Sequence, residues 1–171
     1  MNSLARRPCK VWVAGFGNEN REDDAAGVIL ASKIHSFLND CTEVESFLCL
    51  EHQLLPELAE ELDVDVAIFC DADTRSYDNG FSIREVFSDP RLNGLNIHSM
   101  GPEWLLALAD QVGRGPKKAI LVTVSGERFD FSDVPTSVCL ERIERAEKAF
   151  LDYWTREFSS GKNEVKNDNF V

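Results

Sequence analysis

The chain has 171 residues, 43% of them hydrophobic, which is enough to bury one sizeable core without disulfides or a structural metal. Its formal net charge of -12 argues against nucleic acid and anionic membranes, both of which select a basic surface, and fits a protein partner or a cationic centre. No apolar run approaches the roughly 20 residues of a membrane span, and residues 1–8 carry basic side chains without an apolar signal core, so a cytoplasmic protein is expected.

Residues 9–16 form a short β-branched run closed by glycine, the pattern of a strand buried on both faces of a parallel sheet. Over 24–38 the apolar residues Ala26, Ile29, Leu30, Ile34, Phe37 and Leu38 recur at helical spacing, with Asp23 or Asp24 suited to the helix N-terminus. A second strand over 42–50, a short proline-opened helix over 56–62 and a third strand over 64–72 complete a β-α-β-α-β order. After the Asp78-Asn79-Gly80 turn, 81–87 alternates with period two and predicts an antiparallel edge strand. A loop over 89–94 precedes a helix over 102–112, stopped by Gly113-Arg114-Gly115-Pro116, and a fifth strand over 118–125. The last helix, 136–158, places Ile143, Ala146, Phe150 and Trp154 on one face and predicts the solvated pairs Glu141–Arg145 and Glu144–Lys148. One domain is expected over 1–158, with 159–171 a polar, disordered tail. The five cysteines, an odd number with no Cys-x-x-Cys spacing, predict free thiols.

Three residues stand where strand-to-helix crossovers or strand ends project side chains from one edge of such a sheet: Asp24, Asp71 and His98. Gly15-Phe16-Gly17-Asn18 lacks the third glycine of a dinucleotide turn, and Glu19, Glu22, Asp23 and Asp24 would repel a pyrophosphate while favouring a cation. The glycines then make a tight turn presenting Asp24; the alternative is that Asp23 and Asp24 only cap the helix. Asp71 ends an apolar strand, where it can serve as metal ligand, general base or loop hydrogen-bond acceptor, with Asp73 close enough to replace it. His98 precedes the helix start Gly101-Pro102-Glu103, His52 can reach the same edge, and His35, inside the first helix, is expected to be structural. Ser125-Gly126 has no identifiable histidine partner, so a serine nucleophile has little support.

Gly15-Phe16-Gly17-Asn18, Asp23-Asp24-Ala25-Ala26-Gly27, Gln53-Leu54-Leu55-Pro56-Glu57-Leu58-Ala59, Asp71-Ala72 and His98-Ser99-Met100-Gly101-Pro102-Glu103, in this order, resemble the hydrogenase maturation protease family. The resemblance covers nearly all of residues 10–145. It implies an α/β/α sandwich with a mostly parallel five-stranded sheet and one antiparallel edge strand. It also implies an endopeptidase that removes a C-terminal extension from the large-subunit precursor of a nickel-iron hydrogenase after nickel insertion. The family's metal-binding residues fall on Asp24, Asp71 and His98, with nickel supplied by the precursor and Asp24 or Asp71 the catalytic carboxylate. His52-Gln53-Leu54 with Pro56-Glu57 looks like the branch serving soluble, bidirectional-type hydrogenases. Where the family has Asp-Glu this chain has Asp23-Asp24, one methylene shorter, so Asp23 or Glu22 is an alternative ligand. Two carboxylates and an imidazole can hold nickel with positions open but do not select it by affinity. The alternatives of other classes are a non-catalytic nickel-sensing chaperone and a small-molecule hydrolase or nucleotide-binding protein on the same architecture.

Overall fold

A computed structural model describes residues 7–92 and 101–158. Strand β1 is Cys9–Phe16, helix α1 Ala26–Asn39, β2 Val44–Glu51, β3 Val66–Asp73, β4 Phe81–Glu85, α2 Pro102–Gln111, β5 Lys118–Ser125 and α3 Ser137–Phe158. The strands form one five-stranded sheet in the order β2-β1-β3-β5-β4. All neighbouring pairs are parallel except β4 against β5. The predicted α/β class, with an antiparallel edge strand, is the observed one.

Strand burial follows from position in that order. The inner strands β1, β3 and β5 are covered on both faces and read as nearly continuous apolar runs, whereas the edge strands β2 and β4 are only half-buried or exposed along their length. On one face Val11, Val13, Ile68, Ile120 and Val122 pack against Leu30, Ile34 and Leu38 of α1 and Ile143, Phe150 and Trp154 of α3. On the other, Trp12, Ala14, Phe69 and Leu121 meet Leu58 and Leu62 from the second crossover and Trp104 and Leu105 of α2. The result is three layers with the sheet in the middle. Helix α1 can lie against β1 because Gly15 has no side chain: a Cβ there would stand 2.7 Å from the Gly27 carbonyl oxygen and 2.8 Å from Ala31 Cβ. Gly15 and Gly27 thus provide the close helix approach.

Several boundaries and contacts differ from the sequence expectations. Residues Glu22–Ala25 form a separate 3-10 turn before α1, and neither it nor α1 has a side-chain cap, so Asp23 and Asp24 are not helix caps. The second crossover, Pro56–Glu61, is 3-10 rather than α-helical. Strand β4 ends at Glu85, leaving Phe87 exposed. No ion pair joins Glu141 to Arg145 or Glu144 to Lys148; α3 instead pairs Glu147 with Lys33 of α1 at 2.9 Å and Arg142 with Glu127 at 2.7 Å. Exposed i,i+4 pairs gain only a few tenths of a kcal/mol, so water competes well, whereas a bridge between elements also locks their packing. The five cysteines are free thiols. No helix among the described residues is long and apolar enough to cross a membrane. The predicted 159–171 tail lies outside the described residues.

At the amino end of the sheet, Asp65 accepts the Lys10 amide at 3.0 Å, the Arg7 guanidinium at 2.8 Å and the Lys117 ammonium at 2.7 Å. Those donors, Lys117 first, hold its carboxyl down at about 2. A depressed folded-state value means that the stabilisation is complete above the unfolded pKa of about 3.9 and is lost as pH falls through about 2. Because Arg7 and Lys117 are exposed, screening reduces the contribution to about 1 kcal/mol. Urea unfolding of Asp65→Asn should show that deficit at neutral pH and a shrinking deficit as the acid limit is approached. A pH-independent deficit would assign the effect to packing instead.

Candidate functional site

Parallel pairing sends the ends of β1, β2, β3 and β5 to one edge, and the crossover after β1 folds over it. Gly17 leaves β1 with its amide on the Glu51 carbonyl oxygen at 3.2 Å and with φ of +135°, a conformation that L side chains rarely adopt. A Cβ at Gly17 would overlap the Asp24 backbone carbonyl. That contact folds 18–24 into a compact loop in which Asp24 Oδ2 accepts the Asn18 amide at 2.9 Å. Gly27 then brings the start of α1 onto the end of β3, where a Cβ would stand 2.9 Å from Asp71 Cα. Asp24 and Asp71 therefore share the carboxyl edge of the sheet, close enough for the Asp24 charge to act on the Asp71 carboxyl.

Asp71 stays accessible to solvent at this edge, and its carboxylate accepts a single described hydrogen bond, from the adjacent Ala72 amide at 2.9 Å. The protein crowded around it displaces water and, opposed by the Ala72 amide and helped by the negative charges of Asp24 and Asp73, pushes its pKa up to about 7. Solvent access moderates that elevation. A carboxyl whose pKa is raised by its surroundings, with one oxygen free of described partners, can take up a proton, give one back or bind a cation.

The neighbouring acids have other tasks. Asp73 accepts the Arg75 amide at 3.0 Å, the Arg75 guanidinium at 2.7 Å and the Tyr77 hydroxyl at 2.9 Å, and these bonds outweigh desolvation and lower its pKa. It is thus poorly placed to replace Asp71. Asp23 is fully buried and accepts the amides of Glu127 at 2.8 Å, Arg128 at 3.2 Å and Thr136 at 2.8 Å, together with the Thr136 hydroxyl at 2.9 Å. Burial would raise its pKa, but these donors win and lower it. Glu22, also buried, accepts the Asp130 amide at 3.1 Å and pairs with Arg128 at 3.2 Å. Asp23 and Glu22 therefore clamp the first loop to the segment after β5, which leaves Asp24, of the three consecutive acids, with an oxygen free of described partners.

His52 is exposed after β2, in a shallow depression with Gly17, Glu19, Val28, Leu50 and Glu51 beside the first loop. His35 Nδ1 lies 2.7 Å from Ser46 Oγ, the structural role expected of it. His98 lies outside the described residues. Among the described residues no group of three or more His, Cys, Asp or Glu side chains is arranged to hold a metal ion. The clamp was not legible in sequence, since its donors are mainly backbone amides more than 100 residues away. Its visible signature was two consecutive acids ahead of an apolar helix, which pattern reading assigns to capping.

No protein-family model matches the chain, and no curated protein matches it. Solved structures do. The hydrogenase maturating endopeptidase HybD of E. coli superposes with a TM-score of 0.59 at 24% identity, covering 86% of this chain and 93% of its own. The [NiFe] hydrogenase maturation protease HycI of Thermococcus kodakarensis gives 0.60 at 22% identity over 87% and 94%. The hydrogenase 2 maturation peptidase of a Thaumarchaeota archaeon gives 0.53 at 20% over 86% and 96%. The chain shares the three-layer α/β/α fold of these hydrogenase maturation endopeptidases.

Proposed function

We propose that the chain is a hydrogenase maturation endopeptidase, which removes the C-terminal extension of a nickel-iron hydrogenase large-subunit precursor once nickel has been inserted. The observation that carries this reading is the pairing of Asp24 and Asp71 at the carboxyl edge, each with a carboxylate oxygen free of described partners, on the fold of such endopeptidases. The five sequence segments that resemble the family, in order along the chain, support it.

In this reading Asp24, Asp71 and His98 dock the nickel already bound in the precursor, which brings the scissile peptide bond beside Asp71. Substrate-borne nickel would supply Lewis acidity, polarising the carbonyl or the attacking water. The Asp71 carboxylate takes the proton of that water as its oxygen bonds to the carbonyl carbon. The same proton then passes to the departing amide nitrogen as the C–N bond breaks. Asp24 contributes negative charge to the cation's site, its position held by the Asn18 amide. The acidic surface of the chain favours encounter with a cationic centre.

Two carboxylates and one imidazole are a modest set for binding nickel tightly, so the precursor's own ligands must provide much of the affinity. The purified protein should hold little nickel, leave nickel-free precursor intact and shorten the nickel-loaded precursor, as mass spectrometry of the products would show. His98→Ala should weaken capture of the loaded precursor at least about tenfold with little change in unfolding midpoint. Cutting of verified nickel-free precursor by metal-free protein would overturn the metal-assisted reading. Capture without any mass change would favour a nickel-sensing chaperone.

A further inference from the structure

The two edges of the sheet are protected differently. Edge strand β4 has five residues and carries Arg84, paired with Glu103 at 2.9 Å, and Glu85, 3.9 Å from Lys118. Short, charged edges of this kind discourage further strand pairing. Edge strand β2 has eight residues, Val44-Glu45-Ser46-Phe47-Leu48-Cys49-Leu50-Glu51, with neither lysine nor proline. Phe47 is 43%, Leu48 39% and Leu50 43% exposed.

The backbone of β2 is half satisfied. Its flanking register is set by Cys9 N–H on the Glu43 carbonyl and Gly17 N–H on the Glu51 carbonyl. In a parallel pair alternate residues face the neighbour, so Glu45, Phe47 and Cys49 direct their amides and carbonyls at β1. Ser46, Leu48 and Leu50 direct theirs away from the sheet, where no described residue pairs with them. The side chains divide the other way: Ser46 and Leu48 register with Val11 and Val13 on the α1 side, and Phe47 with Trp12 on the opposite side. One added strand would satisfy the three open positions and cover exposed apolar surface on both faces at once. Moreover, β2 runs directly into the depression formed by Leu50, Glu51 and His52 with Gly17 and Glu19, beside the loop that holds Asp24.

We propose that the precursor's C-terminal extension docks as an added strand on the outer edge of β2, antiparallel to it. This inference rests on the endopeptidase reading, since the extension follows the scissile bond and must leave the carboxyl edge, which runs it down β2 from Leu50 toward Val44. From the added strand to β3 is three strand spacings, about 14 Å, so about four or five extended residues separate the docked stretch from the bond at Asp71. The occupant is an extended, proline-free stretch with apolar side chains on both faces and a basic residue toward exposed Glu45.

The test uses the full chain with two probes: nickel-loaded precursor, and the extension peptide resynthesised after its mass is read from a wild-type digest. Amide hydrogen exchange followed by NMR should show the Ser46, Leu48 and Leu50 amides slowing about tenfold or more with the peptide, while Phe47 and Cys49, already bonded to β1, stay unchanged. Leu48→Pro, which deletes one outward donor at an edge that tolerates proline, should raise KM for the precursor about tenfold with kcat within about twofold. Phe47→Lys, which leaves the backbone free, should do the same should the proline variant not fold. Cleavage at wild-type KM by a folded variant, or exchange at those amides unaltered by saturating peptide, overturns the docking mode and leaves the endopeptidase reading standing. Slowing that depends on protein concentration without peptide would assign the edge to a second copy and overturns the proposal too. No cleavage of loaded precursor by the wild-type chain would instead sink the endopeptidase reading itself.

Discussion

Asp71→Asn is expected to leave nickel-loaded precursor uncut while the protein stays folded. The amide has the shape of the carboxylate but neither its charge nor its basicity, so it can neither counter a cation nor take a proton from water. A loss of about three orders of magnitude in kcat/KM corresponds to about 4 kcal/mol of transition-state stabilisation, within the range of a general base that is also a ligand. The fold should barely respond. Asp71 is accessible, and its described side-chain bond goes only to the next residue's amide, so the change in unfolding free energy should stay under about 1 kcal/mol. Activity and urea unfolding measured on one preparation separate these outcomes. A folded variant that still processes the precursor at more than about a tenth of the wild-type rate would remove Asp71 from the mechanism.

Asp23→Ala should behave in the opposite way, with its largest effect on stability. The substitution strips the acceptor from three backbone amides and a hydroxyl, at a position closed to solvent. Buried donors left unpaired cost about 1 to 3 kcal/mol each, partly recovered by water entry, and the sum expected is about 3 to 5 kcal/mol. Thr136 is also the residue whose hydroxyl accepts the Cys139 amide at 3.2 Å at the start of α3, so the loss should propagate into that helix. Asp23→Asn is the sharper probe, because an amide placed among donors can accept on one side only and should cost roughly half as much. Because the Asp23 pKa is lowered in the fold, its contribution is present above the unfolded value and declines as pH falls toward the folded one. A midpoint shift worth less than about 1 kcal/mol for the alanine variant would mean that 126–136 is held by other contacts.

The sequence by itself determined the strands and helices whose pattern is local. Inner strands β1 and β5 appear at their predicted limits because burial on both faces demands an unbroken apolar run and leaves a signature of its own. The period-two alternation of 81–87 identified the antiparallel edge for the same reason. It also placed Asp24 and Asp71 at one end of the sheet, since parallel pairing sends the carboxyl ends of β1, β2, β3 and β5 to the same side. What only the tertiary structure decided was the task of each neighbouring acid. Glu22, Asp23 and Asp24 are consecutive carboxylates with the same local signal, yet the first two are consumed by amides of 127–136 and the third lies close enough for its charge to act on Asp71. Asp73 stood as an alternative to Asp71 until Arg75 and Tyr77 were seen to occupy it. Hydrogen-bond satisfaction depends on which donors the fold brings near, over separations of more than 100 residues, and no local periodicity encodes that.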